Sequence, residues 1–153
     1  MVSPFKEIRL ADISDVENIQ LCANQAYEKY IELIGKKPAP MVDKFDHLVE
    51  KNTIFVADDS SGQLMGYVIF YPDQNRMHLS NITVFSRYQG QGIGKKLIAF
   101  CEDEARQLKL DAVVLYTNEK MFDNLNMYPH LGYLETGRKT EDGFNRVYFE
   151  KNL

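Results

Sequence analysis

A glycine-rich segment at residues 89–96 (QGQGIGKK) stands between a predicted strand and a predicted amphipathic helix. Its alternating glycines, Gly90, Gly92 and Gly94, let the backbone turn tightly and approach a ligand closely, because they carry no Cβ. The first amides of the following helix lack intrahelical acceptors, and the helix dipole makes that point electropositive. We therefore expect a phosphate or pyrophosphate group there, with Lys95 adding positive charge.

Two other phosphate-binding loops fit this segment less well. A Walker loop needs GxxxxGK followed by Ser or Thr, and the segment has neither that spacing nor a hydroxyl after Lys95. A dinucleotide-binding loop needs a third glycine where Lys95 stands, and the strand after the helix ends in YTN rather than in an acidic ribose ligand. A different nucleotide-phosphate binder stays open as an alternative.

Composition excludes several classes of protein. The chain has 153 residues, 44% of them apolar and 26% charged, which suits one globular domain over residues 1–153. It has no apolar stretch near the roughly 20 residues that cross a bilayer and no N-terminal signal core, so we expect a soluble cytoplasmic protein without a membrane partner. The net charge is −4, the deficit lies wholly in residues 1–77, and neither half has the basic excess of a nucleic-acid-binding protein.

The two cysteines do not indicate a metal site. Cys22 and Cys101 are far apart in the sequence and form no CxxC motif, and no histidine stands near them. We therefore predict no zinc site and no cysteine nucleophile, and we expect both thiols to be small buried hydrophobes.

Hydrophobic periodicity predicts a mixed α/β (α+β) fold with the order β–α–α–β–β–β–α–β–α–β–β. Three consecutive strands between Thr53 and Phe85 are joined by short turns, which indicates an antiparallel meander. The helix after Gly94 then returns the chain to a strand that should run parallel to the third of them. The last two strands form a hairpin around residues 141–143 (EDG).

The loop and these elements together resemble the GNAT acyl-CoA N-acyltransferase superfamily. The pattern QxxGxG that begins at Gln89 is similar to the coenzyme A pyrophosphate loop of that family. The flanking strands, 78–85 (HLSNITVF) and 112–118 (AVVLYTN), and the segment 124–133 (NLNMYPHLGY) follow in family order. The likeness is clearest from Thr53 to the C-terminus. It implies a mixed, mostly antiparallel central sheet with helices on both faces.

The resemblance implies acetyl-coenzyme A as the cosubstrate and assigns its contacts. Backbone amides of the loop would hold the pyrophosphate, and backbone groups of the preceding strand would pair with the pantetheine amides along a free sheet edge. The Asn124 side chain would contact the pantetheine arm. The residues assigned to coenzyme A in this way are Ile82, Thr83, Val84, Gln89, Gly90, Gln91, Gly92, Ile93, Gly94, Lys95, Asn124 and Tyr128.

Tyr128 is the catalytic acid that the resemblance implies, placed near the sulfur to protonate the departing thiolate. A thiol has a pKa near ~8.5 and a phenol one near ~10, so a proton or a hydrogen bond from the phenol can stabilise that leaving group. The acyl carbonyl needs an oxyanion donor, most simply a strand N–H near Val84. Because Pro129 disfavours the α conformation at Tyr128, we expect the helix to end there.

The resemblance does not supply the general base. Many relatives carry an acidic residue at the position of Ser80, and a serine cannot act as a base at neutral pH. His78 stands two residues earlier, on the same face of the predicted strand, and is our candidate base. A water chain, or Glu32 near the end of the first helix, stays open.

A proline-rich segment flanked by aromatic residues corresponds to the variable acceptor side of the family. A rigid, partly apolar loop suits the wall of a pocket, although a simple helix–loop–helix connection fits the pattern equally well. The acidic first half of the chain favours a cationic amine acceptor. The residues concerned are Tyr27, Tyr30, Ile34, Gly35, Pro38, Pro40 and Met41.

We therefore expect an N-acetyltransferase that moves an acetyl group from acetyl-coenzyme A to a primary amine by direct attack in a ternary complex. The alternative is a non-catalytic acyl-CoA-binding module that senses or regulates, and the serine at position 80 is the observation that favours it. The resemblance is also compatible with a homodimer.

Overall fold

One seven-stranded sheet forms the centre of the computed structural model, which describes residues 3–153. The strands lie in the order β1-β2-β3-β4-β5-β7-β6, and only β4 and β5 run parallel to each other. The predicted meander, parallel return and final hairpin are thereby confirmed. The strands are β1 (Phe5–Leu10), β2 (Ile54–Asp59), β3 (Leu64–Asp73), β4 (Arg76–Val84), β5 (Ala112–Asn118), β6 (Leu134–Glu141) and β7 (Phe144–Asn152).

Five α-helices cover the sheet in the described part of the chain, and none of them is long and apolar enough to cross a membrane. A 3-10 turn over Glu28–Tyr30 separates the first two. The helices are α1 (Val16–Tyr27), α2 (Ile31–Ile34), α3 (Phe45–Glu50), α4 (Ile93–Gln107) and α5 (Phe122–His130).

Helix α5 does not end at Tyr128, so that prediction is wrong. The helix continues through Pro129 to His130. The proline removes only one backbone donor, and the helix closes immediately afterwards, because the N–H groups of Leu131 and Tyr133 both donate to the Tyr128 carbonyl at 3.0 and 3.1 Å. Tyr128 therefore lies inside the last turn of α5.

The two faces of the sheet carry separate hydrophobic cores, which confirms the expected helices on both faces. Helices α1 and α3 pack on one face, where Ile19 and Val49 meet Tyr67 of β3. Helices α4 and α5 pack on the other face, where Leu97 and Tyr128 belong to the same cluster. Both cysteines are free and buried, one in each core, as the sequence predicts.

A β-bulge interrupts β4 at Ser80. Leu79 opposes Phe70 and Asn81 opposes Ile69, so Ser80 is the extra residue of β4 in this pair. The buried residues of β4 change faces across the bulge. Leu79 lies in the core under α4, whereas Asn81 hydrogen-bonds to residues of the other face.

The parallel pairing of β4 with β5 stops before this bulge. It joins Arg76, Met77 and His78 to the first three residues of β5 and goes no further in the described residues. A bulge bends its strand, and here the bend carries residues 81–84 away from β5. The backbone of these four residues therefore presents a sheet edge that β5 does not occupy.

Gly66 on β3 allows the two strands to approach at the end of this free segment. It opposes Val84, and a Cβ at this position would collide with the Thr83 carbonyl oxygen. Replacing Gly66 with Ala should lower the free energy of unfolding by about 1–3 kcal/mol, the usual cost of overpacking. Urea denaturation measures this change. Gly137→Ala on β6 is the matched control, because its Cβ would meet open space. Equal stabilities of the two variants would contradict this account of Gly66.

Candidate active site

The glycine loop adopts a backbone conformation that requires glycine at only some of its positions. Gly90 and Gly92 have φ angles of +83° and +79°, in the left-handed region that favours glycine, whereas Gly94 lies within the first turn of α4. Gly92 is the N-cap of α4, and no side chain caps the helix there. The Lys96 N–H donates to the Gly92 carbonyl at 3.1 Å, so the amides before Lys96 are available to a ligand.

A groove of about 470 Å³ runs from this loop along β4 toward α5, a volume in the usual range of small-molecule sites. It brings together ten of the twelve residues that the sequence assigns to coenzyme A. Gln91 is not among the lining residues, and Tyr128 lines an adjoining cavity instead. The ten residues are Ile82, Thr83, Val84, Gln89, Gly90, Gly92, Ile93, Gly94, Lys95 and Asn124.

The adjoining cavity has a volume of about 90 Å³ and shares three lining residues with the groove, Tyr27, Ile82 and Asn124. Tyr128 and Ser80 both line it. The Asn124 side chain is oriented at the junction, because its Nδ2 donates to Thr117 Oγ1 at 3.1 Å. The groove and the cavity therefore meet beside Asn124, as two substrates that react with each other would require.

Tyr128 is held by aromatic packing. Its ring lies 5.7 Å from that of Tyr133 and 5.8 Å from that of Phe149, and only 4% of the residue is exposed. Burial raises the pKa of Tyr128 above the ordinary value for a phenol, so the hydroxyl keeps its proton at neutral pH. The side chain thus offers a proton donor to the cavity.

A buried network of hydroxyl and amide groups joins α1 to the free segment of β4. The Tyr27 hydroxyl donates to Asn81 Oδ1 at 2.7 Å, and Asn81 Nδ2 donates to the Tyr67 hydroxyl at 2.8 Å. Thr83 Oγ1 also donates to Asn81 Oδ1, at 3.2 Å. The network fixes the strand after the bulge. In the sequence these strand residues are visible only as the polar positions Asn81 and Thr83, which give no indication of their partners on α1 and β3.

The structure does not bring His78 into the cavity of Tyr128. His78 lines a different cavity with Arg76 and Tyr148, and its ring lies 5.0 Å from that of Tyr71. Burial lowers the pKa of His78, which favours the neutral ring. Ser80, two residues later, lines the Tyr128 cavity at the bulge. The other candidate base, Glu32, is exposed and lines none of the three cavities described here.

The proline-rich segment supplies part of the cavity wall. Tyr27, Pro38 and Pro40 line the Tyr128 cavity, and Tyr30 lines the groove. The remaining predicted wall residues, Ile34, Gly35 and Met41, line neither.

Sequence reasoning missed two charged residues of this cavity, Asp43 and Arg146. Asp43 directly follows the proline-rich segment, a position that could have suggested it. Arg146 lies on β7, far along the chain from the other predicted wall residues, and nothing in the sequence indicated that it would line this cavity. Within residues 3–153 no three His, Cys, Asp or Glu side chains are grouped as a metal site would require.

The sheet, the glycine loop and the groove beside it define a fold of the GNAT type. The model of the Acetyltransferase (GNAT) family matches residues 17–133, and the chain therefore belongs to that family.

The individual relatives that match the chain have low sequence identity to it, between 18% and 29% in the three cases given next. N-acetyltransferase family 8 member 2 of Rattus norvegicus is 29% identical over 89 residues, which are 54% of this chain and 39% of that protein. N-acetyltransferase 8B of Mus musculus is 25% identical over 135 residues, 84% of this chain and 58% of that protein. The chain thus spans about half the length of the curated relatives it matches. The PaiA N-acetyltransferase of Thermoplasma acidophilum, solved in complex with coenzyme A, superimposes with a TM-score of 0.78 at 18% identity, covering 96% of this chain and 98% of that one.

The Tyr27 hydroxyl should contribute to stability through the buried network. Tyr27→Phe leaves Asn81 Oδ1 without its shortest hydrogen bond, and we expect a loss of about 1–3 kcal/mol in the free energy of unfolding. Tyr30→Phe is the matched control, because Tyr30 lies in the same core and its hydroxyl takes no part in this network. Urea denaturation of both variants tests the prediction. A Tyr27→Phe variant as stable as Tyr30→Phe would refute it.

Proposed function

We propose that this chain binds acetyl-coenzyme A in the groove and transfers its acetyl group to a primary amine in the Tyr128 cavity. One observation carries the proposal: a groove lined by the glycine loop and the free segment of β4 opens, beside Asn124, into a cavity lined by a protonated tyrosine. In this proposal residues 1–153 act as one catalytic domain.

The groove fits the parts of coenzyme A in order. The pyrophosphate matches the amides at the start of α4, whose dipole favours an anion, and Lys95 beside them supplies further positive charge. Next along the groove, residues 82–84 of β4 present backbone groups that can pair with the pantetheine amides, as an added strand would. Asn124 at the far end directs the pantetheine arm toward the cavity.

Acetyl-coenzyme A supplies an acetyl group activated as a thioester, and the chain supplies a proton donor and an oxyanion donor. The amine attacks the acetyl carbon in its neutral form, and the proton that its nitrogen loses as the C–N bond forms passes to water. Tyr128 gives its hydroxyl proton to the sulfur as the C–S bond breaks, and it is reprotonated from water afterwards. An N–H on the free segment of β4 hydrogen-bonds the carbonyl oxygen as negative charge develops there.

The amine attacks the acetyl group directly, because neither cysteine is suited to carry an acyl intermediate. Cys22 and Cys101 are fully buried in the two cores, and neither lines the groove or the Tyr128 cavity. Burial raises the pKa of Cys22 to about 12 and that of Cys101 still further, so the thiolate that a nucleophile needs is not formed at neutral pH.

Gly92 should be needed for cofactor affinity. An alanine in the left-handed region costs about 1–2 kcal/mol, which favours another loop conformation in the free protein. Coenzyme A must then restore the original conformation, so Gly92→Ala should weaken its binding about 5- to 30-fold. Gly62→Ala, in the remote β2–β3 turn, has a similar positive φ and should lose comparable stability while its affinity stays the same. Isothermal titration calorimetry measures both. Equal affinities for the two variants would contradict the assignment of the loop.

Tyr128→Phe is the direct test of the proposed function. The substitution keeps the ring and its packing but removes the proton donor, so kcat should fall about 100-fold or more while the dissociation constant of acetyl-coenzyme A stays within about twofold. Thiol release with an amine panel gives kcat, and calorimetry gives binding. Tyr71→Phe, on a partly exposed strand position away from both cavities, is the control and should leave kcat unchanged.

Three results would overturn the proposal in different ways. Saturable binding of acetyl-coenzyme A without turnover of any amine would favour the non-catalytic acyl-CoA-binding module. Displacement of coenzyme A by ATP or NAD at equal concentration would favour a different nucleotide-phosphate binder. Unchanged kcat in Tyr128→Phe would exclude this tyrosine as the acid.

A further inference from the structure

The Tyr128 cavity contains two charged side chains of opposite sign, Asp43 and Arg146. They come from different parts of the fold. Asp43 follows the 3-10 turn Ala39–Val42, whereas Arg146 lies on β7 opposite Asn118 of β5, which also lines the cavity. Because neither residue belongs to the coenzyme A groove, both charges bear on the acceptor.

Asp43 is a carboxylate without a compensating cation. It is only partly exposed, and no Lys, Arg or His nitrogen of the described residues lies within ion-pair distance of it. Burial raises its pKa for that reason, since the charged form has lost water and gained no partner. A cation delivered into the cavity would compensate this cost.

Arg146 is fixed in place, yet its hydrogen-bond donors are poorly used. Its side chain is 11% exposed, and its guanidinium carbon lies 4.3 Å from the centre of the Tyr116 ring. The nearest carboxylates, those of Glu141 and Asp142, are 4.0 and 3.7 Å away and belong to more exposed side chains. A guanidinium offers a rigid fork of N–H donors that matches the two oxygens of a carboxylate. The aromatic packing therefore presents Arg146 as a carboxylate-binding group.

A simple amine does not satisfy both charges. An alkylamine would meet Asp43 and leave Arg146 with only its long contacts to Glu141 and Asp142. A polyamine would add a second ammonium group beside the guanidinium, which costs repulsion. The cavity volume of about 90 Å³ also restricts the acceptor to a compact end. The acidic first half of the chain favours a cationic acceptor. Arg146, the one arginine that lines this cavity, would repel an acceptor that carries only positive charge.

We infer that the acceptor is an amino-acid-like zwitterion, a primary amine with a carboxylate close to it. Asp43 pairs with the incoming ammonium group, which releases a proton to water before the neutral amine attacks, and Arg146 binds the carboxylate in a bidentate manner. This assignment rests on the proposed function, because it names the substrate class of the same site. Asp43 and Arg146 act here as specificity residues, and Tyr128 remains the acid.

Matched acceptor pairs test the substrate class in the wild-type protein. L-phenylalanine and phenethylamine differ only in the carboxylate, as do L-alanine and ethylamine, and putrescine represents the dications. With acetyl-coenzyme A as donor, kcat/KM for each amino acid should exceed that of its decarboxylated partner about 10-fold or more, because the partner lacks the carboxylate that the Arg146 guanidinium would bind. Putrescine should be the poorest acceptor.

Charge-removing variants then assign the preference to residues. Arg146→Gln should bring the ratio between the two members of each pair close to one, and Arg146→Lys should restore part of it. Arg138→Gln removes the same charge from an exposed position on β6 and should keep the wild-type ratio. Asp43→Asn should lower kcat/KM about 10-fold for the amino acid and for its decarboxylated partner alike. Asp46→Asn, which removes the same charge from an exposed residue nearby, should leave kcat/KM unchanged. Thermal melting of each variant verifies folding.

The outcomes separate this inference from the proposed function. If no amine of any kind releases thiol from acetyl-coenzyme A, the proposed function fails. If amines are acetylated but the decarboxylated partners or putrescine react as well as the amino acids, the zwitterion inference fails and the proposed function stands. The wild-type comparison alone decides this, even where an Arg146 variant does not fold.

Discussion

The extra residue at Ser80 is the constraint on which the rest of this site depends. A sheet normally uses every backbone donor and acceptor of an inner strand, and β4 is an inner strand. Because the bulge ends the pairing with β5 after His78, the next residues keep backbone groups that a ligand can use. The same bulge turns Asn81 toward the sheet face of α1, where it hydrogen-bonds to Tyr27 of α1 and Tyr67 of β3. One inserted residue thus creates the free edge and directs the neighbouring Asn81 side chain into the network that holds it.

The groove and the Tyr128 cavity differ in the groups that they offer to a charged ligand. The groove has little need of basic side chains, because the start of α4 and the turn at Gly90 and Gly92 offer backbone N–H groups to an anion. This explains how a chain with a net charge of −4 can be matched to a highly charged ligand. The adjoining cavity instead uses two side chains. The Asp43 carboxylate has no cation within ion-pair distance among the described residues, and the nearest carboxylates to the Arg146 guanidinium lie 3.7 and 4.0 Å away.

Much of the fold could be predicted from the sequence, because its determinants are local. The glycine pattern at Gly90 and Gly92 needs positive φ angles, and the periodicity of the strands and of α4 sets the element order. The role of Tyr128 came instead from the resemblance of residues 124–133 to a family motif, and it stays a prediction. The extension of α5 past Pro129 could not, because it depends on the bonds that close the helix at the Tyr128 carbonyl.

The acceptor side was harder to predict because it depends on pairing between distant segments. The alternation rule that made His78 a candidate base says nothing about a bulge, whose position is fixed by the register between β3 and β4. Arg146 enters the cavity only because β7 pairs with β5 in one register, with Asn118 opposite it. Asp43 is recognisable as a functional group only through its surroundings, where burial without a cation raises its pKa.

Amide hydrogen exchange with and without coenzyme A shows whether the free segment of β4 holds the ligand. Protection should increase at residues 82–84 of β4 and at residues 90–95 of the loop, while β6, on the far edge of the sheet, stays unchanged. Coenzyme A binding that protects the loop but leaves 82–84 exchanging at the same rate would contradict the account, because the edge freed by the bulge would then have no part in holding the ligand.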